Sequence, residues 1–194
     1  MQGRGSRRAV LAVLLIPALV ALLAAGAAAQ KVPAGVAAEL PVVMTCPGQA
    51  PEGQLVKLIF GRLKTPIKYD PFLEAKEMGG AKSLIIIMGG SGKGLGSAGV
   101  NIQDEMKRAE AILAEASKQK LKIVGIHSGG EDRRGEVSNK MIALVAPKVH
   151  YMIVREDGNK DGLFTKLAEQ HKIPLTLIQG TQDLSEVFKA LFKL

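Results

Sequence analysis

Tryptophan is absent from this chain, and tyrosine and phenylalanine are scarce, with two and five copies in 194 residues. So few flat side chains leave little with which to stack bases, and the formal charge of +8 therefore does not point to nucleic acid. Cysteine occurs once, at position 46, which excludes an intramolecular disulfide and any paired-cysteine metal centre. No G-x-S-x-G elbow, no H-E-x-x-H and no paired Cys/His spacing occurs, so the common serine-hydrolase and zinc signatures are missing. Stability has to come from an apolar core.

One long apolar run is present, and it lies at the N-terminus. Arg4, Arg7 and Arg8 form a basic start, Ala9 to Ala24 an apolar stretch, and Ala27-Ala28-Ala29 a small-residue end, which is the grammar of a secretory signal. Cleavage is expected after Ala29. Residues 1–29 are then the signal peptide, residues 30–39 a flexible Pro/Gly/Ala lead-in, and residues 40–194 a single domain. Pro17 and the alanine-rich end favour removal over retention as an anchor, so no stable membrane anchor is expected to remain and the mature protein is expected to be periplasmic or secreted. Ser6-Arg7-Arg8 also resembles a twin-arginine signal, the alternative export route. Loss of the three arginines takes the formal charge from +8 to +5, a mild excess.

The remaining stretch alternates regularly. Runs of Val, Ile and Leu at 40–46, 83–88, 122–127, 150–154 and 174–178, with a shorter one at 67–70, have the look of strands buried on both faces. Between them, apolar residues at spacings of three and four predict helices at 52–64, 103–120, 135–146, 163–171 and 183–192. Residues 69–78 read as either a short helix or a loop. This β–α alternation predicts a three-layer α/β/α sandwich around a mostly parallel sheet of five or six strands. A flavodoxin-like order, with the first and third strands adjacent, is preferred over a Rossmann-like one.

In such a sheet ligands bind beyond the carboxyl ends of the strands. The loops expected there are rich in glycine and charge. Residues 89–99 read GGSGKGLGSAG, a candidate anion cradle through Gly90, Ser91 and Gly94 with Lys93 adding charge. The run is no Walker loop, since Gly94 follows Lys93 where Ser or Thr should stand, and its G-x-G-x-x-G match lies too far beyond the strand for a dinucleotide fingerprint. The plain alternative is a mobile connecting loop.

His127 ends a strand, and Arg133 and Arg134 follow in the same loop, suited to bidentate contact with a carboxylate or phosphate. They read equally well as a satisfied strand-end histidine and two arginines paired with nearby acids. Asp157, Asn159 and Asp161 match the start of a calcium loop, but Ala168 stands where its bidentate Glu belongs, so a calcium site competes with a simple turn. Cys46, between a strand end and a helix start, is a candidate nucleophile or a buried filler.

The motifs TCPGQAPEG, IMGGSGKGLGSAG, HSGGEDRRGE and VREDGNKDGLFT, in that order from about Leu40 to the end, resemble a bacterial family of exported proteins known only as a domain of unknown function. That resemblance implies that the loops belong together, and it carries no activity with it. The expectation is a domain that binds a small polar or anionic ligand at the rim of the sheet. The alternatives are an enzyme using Cys46 or His127 there, and an envelope module that recognises another protein.

Overall fold

The computed structural model describes residues 32–194, so the expected signal peptide and cleavage point lie outside the described residues. Six parallel strands, β1 (Val42–Thr45), β2 (Lys68–Tyr69), β3 (Ser83–Ile87), β4 (Lys122–His127), β5 (Tyr151–Arg155) and β6 (Leu175–Ile178), form one sheet in the order β2-β1-β3-β4-β5-β6. This is the flavodoxin-like order. The register pairs Val43 with Leu84, Ile85 with Val124 and Ile153 with Thr176.

The described residues form six helices, α1 (Glu52–Arg62), α2 (Gly92–Ala98), α3 (Ile102–Lys118), α4 (Glu136–Val145), α5 (Leu163–His171) and α6 (Leu184–Phe192), of which all but α2 pack their apolar residues on the sheet. Because strand side chains alternate, each central strand feeds two cores. Leu84, Ile86 and Met88 join the cluster under α3, α4 and α5, whereas Ile85 and Ile87 join the cluster under α1 and α6. On that second face Phe60 stacks on Phe188 with ring centroids 4.4 Å apart. The crossover from β1 to β2 runs on one face and those from β3 onward on the other, so the winding direction changes between β1 and β3.

Residues 32–39, expected as a flexible lead-in, are docked. Val32 and Val36 pack on the α1/α6 core, and the Ala38 amide donates to the Leu191 carbonyl at 2.9 Å. The packed body therefore begins upstream of Leu40. Residues 69–78 hold a short 3-10 turn at Ala75–Glu77. The glycine-rich segment also departs from its reading as an open loop, because α2 forms inside it. Ser91 Oγ accepts from the Gly94 amide at 3.0 Å and Gly99, at φ 67°, ends the helix in the left-handed conformation. Among the described residues no helix is long and apolar enough to cross a membrane.

Candidate functional site

The loops after β1, β3, β4 and β5 all emerge at the same edge of the sheet, as parallel strands require. At the change of winding direction the first two are zipped together by main chain. Gly48 bridges Gly90, and the Ser91 amide donates to the Gly48 carbonyl at 2.9 Å. No side chain fits between them: a Cβ on Gly48 would stand 1.9 Å from the Gly89 oxygen. The floor of the site is therefore backbone.

Above that floor lies a cavity of about 320 Å³ lined by Gln49, Ser91, Lys93, Gly94, Ser97 and Arg133. A second, of about 300 Å³, adjoins it and is lined by Gly90, Ser91, Arg133, Arg134 and the first turn of α4. Six of the eight expected ligand residues thus line one or both of these clefts. Cys46 and His127 lie beneath, fully enclosed.

Cys46 works as a hydrogen-bonding corner of the β1 loop. Its Sγ accepts from the Ala50 amide at 3.2 Å and donates to the Ala50 carbonyl at 3.3 Å. Burial, and secondarily the charge of Glu52, push the thiol up to about 12, so no accessible thiolate forms. His127 is likewise interior. Its Nδ1 is 2.7 Å from the Met88 carbonyl and its Nε2 3.4 Å from the Gly130 carbonyl, while the ring lies against Phe164. Burial holds its pKa below the usual histidine value, and the neutral ring ties the ends of β3 and β4 together.

The two arginines diverge. Arg134 grips Asp161 with both terminal nitrogens, at 3.1 and 2.9 Å, and donates to the Gly158 carbonyl at 2.6 Å. That ion pair holds the Asp161 carboxyl below its usual range. Arg134 is therefore a clamp between loops. Arg133 instead points its Nε at Glu52, 3.3 Å away.

The expected calcium ligands face three different ways. Asp157 pairs with Arg155 at 2.7 Å. Asn159 caps α5 by accepting from the Phe164 amide at 2.9 Å, and Asp161 belongs to Arg134. No oxygen cage results, and among the described residues no group of three or more His, Cys, Asp or Glu stands ready for a metal. The segment is the alternative that the sequence left open, a turn leading into a capped helix.

Two participants escaped the sequence reading. Glu52, on the first turn of α1, is buried with its Oε2 unpartnered among the described residues, and it seats Arg133. Room for it comes from Gly129, where a Cβ would stand 2.2 Å from Oε1. Gln49, at φ 53°, reaches the buried Glu105 at 2.9 Å, and Glu105 is itself paired with the partly buried Arg108 at 2.8 Å. Arg108 also donates to the Pro71 and Leu73 carbonyls at 2.7 and 2.8 Å, so this network fixes one wall of the cavity. Pro51-Glu52-Gly53 at a helix start was the only local signal for Glu52.

A three-layer α/β/α sandwich of flavodoxin-like strand order, with a polar cleft at the change of winding, is the class of protein defined here. The chain belongs to the family described as a domain of unknown function (DUF6305), whose model matches residues 39–192. No curated protein matches. Among solved structures the chain is similar to a GDSL-like lipase from Bacteroides thetaiotaomicron, at 10% identity and a TM-score of 0.33, over 70% of this chain and 66% of the lipase. It is also similar to the psychrotrophic esterase EstA from a Pseudoalteromonas species, at 11% identity and a TM-score of 0.29, over 71% of this chain and 76% of the esterase. The chain thus spans slightly less than two thirds of the lipase's length.

Proposed function

We propose that this protein is exported and binds a small anionic solute, a carboxylate or a phosphate, in the cleft between the β1 and β3 loops. The observation that carries this reading is the state of the cations around it. Arg134, Arg155 and Lys160 are each paired with a carboxylate, whereas Lys93 has no such partner among the described residues and lines the cavity. Arg133, held by Glu52 through Nε, lines the same cavity and supports the same reading. The Ser91 and Ser97 hydroxyls and the Gln49 amide add neutral partners, and about 320 Å³ suits a small solute. Export rests on the basic, apolar and small-residue parts of the first 29 residues.

Isothermal titration of the chain from residue 30 with mono- and dicarboxylates, inorganic phosphate and neutral sugars tests it. Saturable binding of an anion is expected, weakened by roughly 10- to 100-fold in Lys93→Ala, as loss of a charge-assisted hydrogen bond implies. Silence toward every anion, or affinities indifferent to both Lys93→Ala and Arg133→Ala, refutes the reading.

A further inference from the structure

The opposite edge of the sheet carries a pattern that the ligand cleft does not use. Five non-glycine residues have positive φ among those described, and apart from Gln49 all are lysines: Lys64, Lys120, Lys172 and Lys193, at 53–57°. Each stands just past the end of a helix, respectively α1, α3, α5 and α6. In each case the next amide returns to the helix, as Thr65 does to the Phe60 carbonyl at 3.0 Å and Leu121 to the Ala116 carbonyl at 2.9 Å. Glycine takes this left-handed position without steric cost, and lysine does not.

Helix dipoles do not account for the choice. Arg62, Lys118, His171 and Lys189 already place a basic group in the last turn of the same four helices. What the four lysines share is location. Helices in this fold run against the strands, so all four ends lie at the N-terminal edge of the sheet, away from the ligand rim. Lys82, Lys122 and Lys148 join them there, at the starts of β3 and β4 and in the turn before β5. None of these seven lysines has an ion pair among the described residues, whereas at the rim Lys93 alone among Lys93, Arg133, Arg134, Arg155 and Lys160 lacks one. Lys82, Lys120 and Lys122 surround a recess of about 330 Å³ that also contains Glu39.

The chain enters its fold at this same edge. The Ala38 amide bonds to Leu191 near the end of α6, and the Glu39 amide to Ser83 Oγ at the start of β3. Upstream in the sequence lie Arg4, Arg7, Arg8 and the apolar run read above as an export signal.

We propose that this lysine edge is a peripheral docking surface for an anionic phospholipid bilayer, with the recess of Lys82, Lys120 and Lys122 seating a headgroup phosphate. Attraction is electrostatic and reversible, it decays within a Debye length, and the ligand rim points away from the lipid. The proposal is independent of what the rim binds.

Co-sedimentation of the chain from residue 30, which contains the whole packed core, with phosphatidylcholine vesicles lacking or containing phosphatidylglycerol tests it. Binding to the anionic vesicles alone is expected, and added salt should abolish it. The triple variant Lys64→Gly, Lys120→Gly, Lys172→Gly removes three charges while giving each position the residue its backbone favours. It should melt no lower than the parent yet bind about 100-fold more weakly, at about fivefold per lysine. Lys93→Ala should bind vesicles as the parent does. No binding to anionic vesicles, equal binding to neutral ones, an unaffected triple variant, or capture of free inorganic phosphate without vesicle binding would each overturn the proposal.

Discussion

Gly48→Ala probes the backbone floor of the cleft most directly. The added methyl would meet the Gly89 oxygen at 1.9 Å and the Gly90 Cα at 2.6 Å, both main-chain atoms that cannot rotate aside. One of the two loops must move by more than 1 Å to restore ordinary contact, and the hydrogen bond from the Ser91 amide to Gly48, now 2.9 Å, does not survive that shift. Overpacking of this kind costs about 1–3 kcal/mol and the lost hydrogen bond about 1 kcal/mol, so a destabilisation of about 2–4 kcal/mol is expected. For a chain of this size that lowers the midpoint of thermal unfolding by about 10 °C. Calorimetric melting should be run beside Gly92→Ala, a change in the same segment where nothing lies within 4 Å of the new methyl. The control should melt at or slightly above the parent temperature, because alanine is the better helix former. A Gly48→Ala protein melting within about 2 °C of the parent would refute the close zipping of the two loops.

Arg108→Met should destabilise by about 3–5 kcal/mol in urea unfolding, because it leaves Glu105, 4% exposed, as an uncompensated buried charge. Cys46, with its thiol pushed up to about 12, should resist iodoacetamide at neutral pH in the native protein and react once the chain is unfolded. His127 is held neutral by burial, with its pKa below the ordinary value of 6.5. As pH falls through 6.5 the unfolded chain takes up a proton that the folded one refuses, so stability is full above 6.5 and declines below it until the folded pKa is reached. Unfolding free energies measured across that range should show the decline in the parent and a shallower one in His127→Gln.

Strands whose side chains are apolar on both faces were the most legible part of the sequence. Ser83–Ile87 and Lys122–His127 announce themselves because Leu84 and Ile85, pointing to opposite faces, both have a core to enter. The edge strand β2 shrinks to Lys68–Tyr69, since it pairs only with β1 and its run is half-exposed. The helix α2 was hidden by its glycines, which score poorly in any helix pattern, while its caps Ser91 and Gly99 were in plain view. At the site, Ser91, Lys93, Gly94 and Arg133 do share one cavity. The adjacent Arg133 and Arg134 could not be told apart by spacing, because their different directions depend on Glu52 at the start of α1 and Asp161 in the β5 loop, both distant in sequence. The burial of Glu52 was equally illegible, since it depends on Gly129, more than seventy positions away. The Asp-x-Asn-x-Asp run was easy to see, but its side chains answer to a helix start and two arginines, partners that no local motif encodes.

The zipped Gly48–Gly90 floor has a bearing on how this cleft can change its chemistry. Peptide groups have the same donors and acceptors whatever residue carries them, so the base of the cleft offers any occupant a constant surface. Discrimination falls to the side walls, where Lys93 and Ser97 on α2 and Arg133 on the β4 loop can each be exchanged without disturbing the base. Family members that differ at those three positions and keep both glycines should hold unlike molecules in the same place.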